Sequence, residues 1–465
     1  MKRVRNAAED VGGGTSESAF FPTHVSSHLN EQQREACRSF LTLADGDGGL
    51  GYFLTGAAGT GKGEVIKEIT NLLRAPPFNL RKNRDFFVTA TTGTAAKLVN
   101  GITVYSFAGI GRGEGSPDQY MREFYQKPWK MRKWKTCQYL IIDEISLLNA
   151  KTFDLLDSVA RRVRKTASFM GGLKVLLVGD FLQLPPVDGE FAYTSPTWRQ
   201  NVTHNAVLTE NMRARRSALS KTWNDVLCDI RLGKCTDRVK NFIESRCIQP
   251  PEGEEPTCLM PVNRAVDAIN EEKLAALLEK GPEDCLKEYT SRVSFSGGTQ
   301  NQRDVQKEIM PKGVPAESHI RLCVGCRVVL LINLDVKRGL TNGALGTIVD
   351  FATNNDPYVK FDCIEHPCRV SRHVWEESVS EKFTAYLAQM PLKLAWALNV
   401  HKSQGMSLDT IFCDLGPRVF AEGMAYVSLS RSKFPERVYV SDFDPASIRC
   451  DASAREFYEN LQVTQ

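Results

Sequence analysis

A chain of 465 residues, 42% apolar and 25% charged, has length for two to four domains of about 100–200 residues, each with a buried core. This composition excludes collagen-like, coiled-coil and mostly disordered proteins, and with no run of 18 apolar residues no membrane-spanning helix is expected. Lys plus Arg number 59 against 55 Asp plus Glu, a net +4, so the whole-chain charge selects no polyanionic partner and any basic site must be local.

Residues 1–28 lack periodicity, are rich in Gly, Ser and Thr, and predict a flexible tail. The start, Met1 to Arg5, is basic but soon acquires Glu9 and Asp10. It has no apolar stretch of a signal peptide, and a nuclear location is expected, with a mitochondrial one as the alternative. A helix is predicted from Leu29 to Leu43, followed by a loop with Gly46, Gly48 and Gly49. Short apolar runs come next, each closed by a turn and followed by a helical stretch: 51–55, 86–90, 139–142 and 173–178. Near-continuous apolar strands alternating with helices predict a parallel sheet covered on both faces, here a first α/β domain over 29–205. A second set of runs, 257–260, 410–413 and 437–441, predicts a second α/β domain from 206–285 and 391–465. Over 286–390 short β-rich pieces separated by Gly and Asn turns predict a small antiparallel barrel inserted into it. The fold class is therefore α/β, with two parallel-sheet domains and an inserted β-barrel subdomain.

The first chemical motif is Gly56-Ala57-Ala58-Gly59-Thr60-Gly61-Lys62, after a predicted strand and before a predicted helix. Glycines let backbone N–H groups close around phosphate oxygens, the helix N-terminus adds positive potential, and the Lys reaches the terminal phosphates. The bland reading is a Gly-rich turn. Position 63 departs from the pattern: the Ser or Thr whose hydroxyl ligates Mg²⁺ is replaced by Gly63. Downstream, the apolar run 140–142 ends in Asp143 and Glu144, where ATPases place a carboxylate for the Mg²⁺ shell and a base for the attacking water. Gln183, in the run 178–187 after the next strand, can sense a terminal phosphate.

Together with 89–96, 106–111, 391–405 and 425–431, these runs stand in the order found in the petite-integration-frequency (Pif-type) DNA helicases, which the chain resembles over about 29–445. That family belongs to superfamily one and runs 5′→3′. The stretch from Asp157 to Arg164, leading to Gly171 and Gly172, resembles the family's own signature. The resemblance implies two RecA-like domains that bind ATP with Mg²⁺ between them. It makes Gln33 the adenine reader, residues 56–63 the ATP loop, and Lys62 the holder of the β- and γ-phosphates. Asp143 would bind Mg²⁺, Glu144 would be the general base, and Gln183 would link the γ-phosphate to the DNA-bound state. Arg213 and Arg431 would be arginine fingers, worth about 10³–10⁵ in rate; the plain reading of either is a salt bridge.

For DNA, Thr92 and Gly93 at a strand end can bond phosphate. The resemblance adds Phe107, leading into a strand-separating wedge near 107–135, and His401, Lys402 and Tyr426 from the second domain. Residues 122–135 interleave Arg122, Lys127, Lys130, Arg132, Lys133 and Lys135 with Phe124, Tyr125, Trp129 and Trp134. That reads equally as a nucleic-acid patch or a solvated face over buried rings. Thirteen scattered cysteines fit free thiols in a reducing compartment; Cys323, Cys326, Cys363 and Cys368 have the residue type for zinc, but an ordinary packed strand is the expected reading.

The function implied is an ATP-dependent 5′→3′ DNA helicase acting at single-strand/duplex junctions in genome maintenance. Its expected partners are single-stranded DNA and DNA junctions, with RNA as the alternative and no membrane, and its expected state is a monomer. The rival is a nucleic-acid binding or remodelling protein whose ATPase is feeble because Gly63 replaces the hydroxyl ligand.

Overall fold

In the computed structural model the described residues are 25–461, apart from 47, 112, 213–218, 282–284, 336–337 and 381–382. The expected tail ends sooner than position 28. Ser26 donates from its backbone N–H and its hydroxyl to the Glu68 carboxylate, both at 2.8 Å, which fastens this end to the helix Lys62–Arg74. The first helix, Glu31–Ala44, starts where Asn30 and Gln33 form a reciprocal capping box, each side chain accepting the other's backbone N–H.

The first domain holds a six-stranded sheet made of β1 (Leu50–Gly56), β2 (Phe86–Ala90), β3 (Ile102–Thr103), β4 (Tyr139–Asp143), β5 (Lys174–Gly179) and β6 (Val202–Leu208). Their order is β3-β2-β4-β5-β1-β6 and every pairing is parallel. β1 and β2 are buried along their whole length, so both faces need apolar side chains, as the runs predict. Parallel pairing brings the C-terminal ends of β1, β4 and β5 to one edge, where ligands bind in such sheets. Lys62, Asp143 and Gln183 all stand at that edge or in the segments that leave it.

A second parallel sheet has the order Ala397–Asn399, Thr257–Met260, Ile411–Leu415, Val438–Phe443. Between its first two strands in the chain lies the β-rich insertion, whose strands form antiparallel sheets of five, three and two strands. The five- and two-stranded sheets share one core, including Tyr289, Leu322, Val328, Ile348, Phe361 and Leu392. The insertion also contains a helix the sequence reading missed, Gln300–Gly313, capped by Thr299 and Gln302. Cys323 and Cys326 are buried with their sulfurs 3.5 Å apart, and among the described residues no group of three His, Cys, Asp or Glu is placed to hold a metal. No described helix is long and apolar enough to cross a membrane.

The last helix, Ala452–Glu459, departs from the expected division, which assigned 391–465 to the second domain. Phe457 stacks on Tyr193 with ring centroids 4.4 Å apart and meets Phe181 at 5.5 Å. The chain leaves the second sheet and returns to the first domain because that domain offers the larger aromatic cluster, Phe53, Phe181, Phe191, Tyr193 and Trp198.

Candidate nucleotide and nucleic-acid site

β1 runs into the glycine loop, and the helix Lys62–Arg74 begins at Gly61, which is left-handed with φ 86°. A Cβ there would stand 2.2 Å from Gln33 Nε2, and one on Gly56 (φ 153°) would stand 2.4 Å from the Leu208 carbonyl, so space and backbone both demand glycine. Lys62 Nζ folds back on its own loop, donating to the carbonyls of Gly56 (2.6 Å) and Ala57 (3.2 Å). Burial lowers its pKa, and Asp180, Glu144 and Asp143 oppose that shift. The Thr60 hydroxyl donates to the Ala57 carbonyl at 2.9 Å and so serves the loop. Gly63 is exposed and helical, and a Cβ on it would meet nothing within 4 Å.

β4 delivers the two acids. Glu144 adopts left-handed backbone angles (φ 52°, ψ 47°), and its N–H donates to Asp143 Oδ1 at 2.9 Å. Burial first, and the Glu144 charge next, push the Asp143 carboxyl up to about 7, with Lys62 acting the other way. Gln404 of the second domain donates from Nε2 to Glu144 Oε2 at 2.9 Å. Arg431, also from the second domain, is buried and aimed by the carbonyls of Val427 (2.9 Å) and Met406 (3.4 Å) and by the Ser430 hydroxyl (2.9 Å). Lys62, Gly63, Asp143, Glu144, Gln183 and Arg431 line one cleft of about 1140 Å³.

Other expected residues stand elsewhere. Tyr426 is buried, and its hydroxyl accepts the Ala58 N–H at 2.8 Å. Contrary to the expected DNA-facing position, it touches the phosphate loop across the domain seam and presents no exposed face. Gln33 is 2% exposed and both ends of its amide are engaged. Its Nε2 donates to the Thr60 carbonyl at 2.9 Å and its Oε1 accepts the Asn30 N–H at 3.0 Å, so it braces the loop instead of facing the cleft. Phe107 is fully buried between Phe87 and Trp134, at centroid distances of 4.9 and 4.7 Å, and cannot itself meet DNA. Phe124 and Trp134 are likewise buried, while Lys127 and Lys130 pair with Glu123 at 3.3 and 2.9 Å. The stretch 122–135 is thus mainly a solvated face over buried rings. Thr92 and Gly93 are exposed at the end of β2, Lys402 is exposed, and His401 is half-buried. Arg213 lies outside the described residues, although the chain just before it docks on the loop, Met212 N–H donating to the Gly59 carbonyl at 2.8 Å.

The signature stretch is an internal brace. Asp157 accepts the Met170 N–H at 2.7 Å, and Arg164 donates to the carbonyls of Trp134 (2.7 Å) and Cys137 (2.8 Å). A Cβ on Gly171, which has φ 66°, would stand 2.7 Å from the Ala160 carbonyl.

Sequence reasoning missed a network that joins the domains beneath the cleft. Asp180, fully buried after β5, takes a two-pronged ion pair from Arg231 at 2.9 and 2.7 Å. Arg231 ends the helix Ser220–Arg231. Tyr458 of the last helix lies under the guanidinium, 5.0 Å from its ring centroid. Its hydroxyl reaches Asp180 Oδ1 (3.3 Å), Thr55 Oγ1 (2.6 Å) and the Phe181 N–H (3.1 Å).

Comparison with known proteins accords with this geometry. The model of the PIF1-like helicase family matches residues 28–241, and that of the DNA helicase Pif1 2B domain matches 308–351. The ATP-dependent DNA helicase Pif1 of Bdellovibrio bacteriovorus is 30% identical over 418 residues, covering 89% of each chain. The chain belongs to the PIF1-like helicase family. The ATP-dependent DNA helicase PIF1 of Danio rerio is 35% identical over 448 residues, 94% of this chain. The match spans only 65% of that relative's length. Among solved structures, Pif1 helicase from Candida albicans is 28% identical with a TM-score of 0.78, covering 93% of this chain and 99% of that one. Bacteroides Pif1 bound to single-stranded DNA is 25% identical with a TM-score of 0.65, covering 93% and 96%.

Proposed function

We propose that the chain is an ATP-dependent DNA helicase that moves 5′→3′ on single-stranded DNA and opens duplexes at junctions, in the service of genome maintenance. One observation carries this reading: Lys62, Asp143, Glu144 and Gln183 of the first domain face Arg431 and Gln404 of the second across one cleft. A nucleotide bound there touches both domains, so its arrival and loss change how they sit together. Direction rests on family likeness, not on residue physics, and DNA as the track is supported by the single-strand complex of the Bacteroides relative.

In this reading Lys62 leaves the carbonyls of Gly56 and Ala57 to meet terminal phosphates, and the Tyr426 hydroxyl gives up the Ala58 N–H to them. Glu144 takes a proton from the attacking water, with Gln404 reporting its position to the second domain. Arg431 neutralises charge on the transferred phosphoryl group. The site fits Mg²⁺: Asp143 is an oxygen donor at the cleft wall, half-buried, whose carboxyl is disfavoured as a bare anion, which a cation would offset. With nucleotide bound, that ion would supply neutralising charge at the phosphates, and Asp143 would hold it through its water shell.

Gly63 favours a second reading, a nucleic-acid remodelling protein with feeble hydrolysis. Steady-state ATPase with and without single-stranded DNA separates the two. The decisive test is unwinding of forked DNA and RNA duplexes bearing either a 5′ or a 3′ tail. ATP-dependent opening of the 5′-tailed DNA is expected; opening only from a 3′ tail overturns the direction, and opening of RNA alone overturns the track.

A further inference from the structure

Phe420 is a large apolar side chain left 58% exposed, yet it is firmly mounted. The loop that carries it follows the strand Ile411–Leu415. Val419 beside it is buried, its N–H donating to the Gly416 carbonyl (3.1 Å) and its carbonyl accepting from Arg449 (3.0 Å). Three residues on, the Gly423 N–H donates to the Arg449 carbonyl at 3.0 Å. The Phe420 ring lies nearly parallel to that of His401, at 5.9 Å and 20°. His401 is itself fixed, with Nδ1 3.2 Å and its backbone N 2.9 Å from Asn399 Oδ1. One ring is thus backed by another and turned to solvent, beside exposed Lys402.

The segments that carry the pair reach the domain seam. Four residues past His401, a Cβ on Gly405 would stand 2.9 Å from Leu98 Cδ1, on the short helix that opens at exposed Thr92 and Gly93. Three residues past Phe420, a Cβ on Gly423 would stand 2.4 Å from the Gln183 carbonyl. The rings therefore share their segments with Gln404, which holds Glu144, and with the loop against Gln183.

We propose that Phe420, backed by His401, is a stacking platform for one nucleobase of the bound single strand, a role that rests on the single-strand reading above. An unadorned ring reads no base edge, so the contact is sequence-tolerant, and it lends no charge. Lys402, next to His401 in the chain and exposed, supplies a phosphate contact that holds the strand over it.

The test is single-strand binding by fluorescence anisotropy across a salt series, with an ordinary oligonucleotide and one carrying abasic spacers. Phe420→Ala is expected to weaken binding to the ordinary strand by about five- to 150-fold, the loss of one base–aromatic stack, with an unchanged salt slope. Phe420→Trp restores it. On the abasic strand the wild type and Phe420→Ala bind alike. Equal binding of the ordinary strand by both proteins overturns the platform, as does a loss that persists on the abasic strand or comes with a shallower salt slope. Failure of the wild type to bind any single strand overturns the helicase reading itself, and the platform with it.

Discussion

In the nucleotide cleft, the groups expected to hold phosphate already have protein partners, whereas on the face proposed for the single strand Lys402 and Phe420 are exposed and of Thr92 only the hydroxyl is engaged, accepting the Ala95 N–H at 3.1 Å. Lys62 is held by its own loop's carbonyls, the Ala58 N–H by Tyr426, and Glu144 by Gln404. Two of those three partners come from the second domain. A ligand entering the cleft must exchange internal hydrogen bonds, so binding there is coupled to how the domains sit. Contacts made by a strand on the exposed face involve no hydrogen bond between the domains, so they are expected to add nearly one by one. The difference teaches where a substitution acts on coupling and where it acts on affinity alone.

The strongest way to break the comparison is Lys62→Ala. It should abolish hydrolysis while single-strand affinity stays within a few-fold, checked by steady-state ATPase and anisotropy. A large loss of DNA binding would mean that the two regions are not separate. Next is Arg231→Ala, which strands Asp180 as an uncompensated buried charge and should cost about 3–5 kcal/mol in chemical denaturation. The same change on an exposed pair such as Lys433–Asp409, at 2.8 Å, should cost no more than about 1 kcal/mol.

Gly63→Ser sharpens the comparison within the cleft. The site is helical with open space around it, so the hydroxyl enters without strain. It should lower the Mg²⁺ concentration needed for half-maximal ATPase by about five- to 150-fold, an effect on the order of 1–3 kcal/mol by analogy with an unmade hydrogen bond. Superimposed Mg²⁺ titrations would show that the hydroxyl is not the missing ligand. The smallest effect belongs to the outer face. Lys402→Ala should reduce the slope of log affinity against log salt by about 0.7, one phosphate contact on a single strand, and leave Mg²⁺ dependence unchanged.

The parts of the site legible in the sequence are those in which a short motif ends an apolar strand. Gly56 to Lys62, Asp143 and Glu144, and Gln183 converge because parallel strands share one C-terminal edge. Direction was not legible for rings: Phe107 and Tyr426 stand in motifs, but nothing local says that one faces the core and the other the phosphate loop. The Asp180–Arg231–Tyr458 network joins residues 51 and 278 positions apart with no local signal. The helix Gln300–Gly313 was missed because among its described side chains it buries only a narrow stripe, Gln306 and Met310. The last helix was assigned to the wrong domain because adjacency along the chain outweighed two aromatic residues whose partners lie far away.

The central claim is that the second domain completes the active site. DNA-stimulated ATP hydrolysis by Arg431→Ala, measured beside the wild type, tests it most directly, with nucleotide binding followed in parallel as the control for folding. The account predicts that stimulated turnover falls by about 10³–10⁵-fold, the range for loss of an arginine finger, while nucleotide is still bound. Stimulated turnover at the wild-type rate would contradict it.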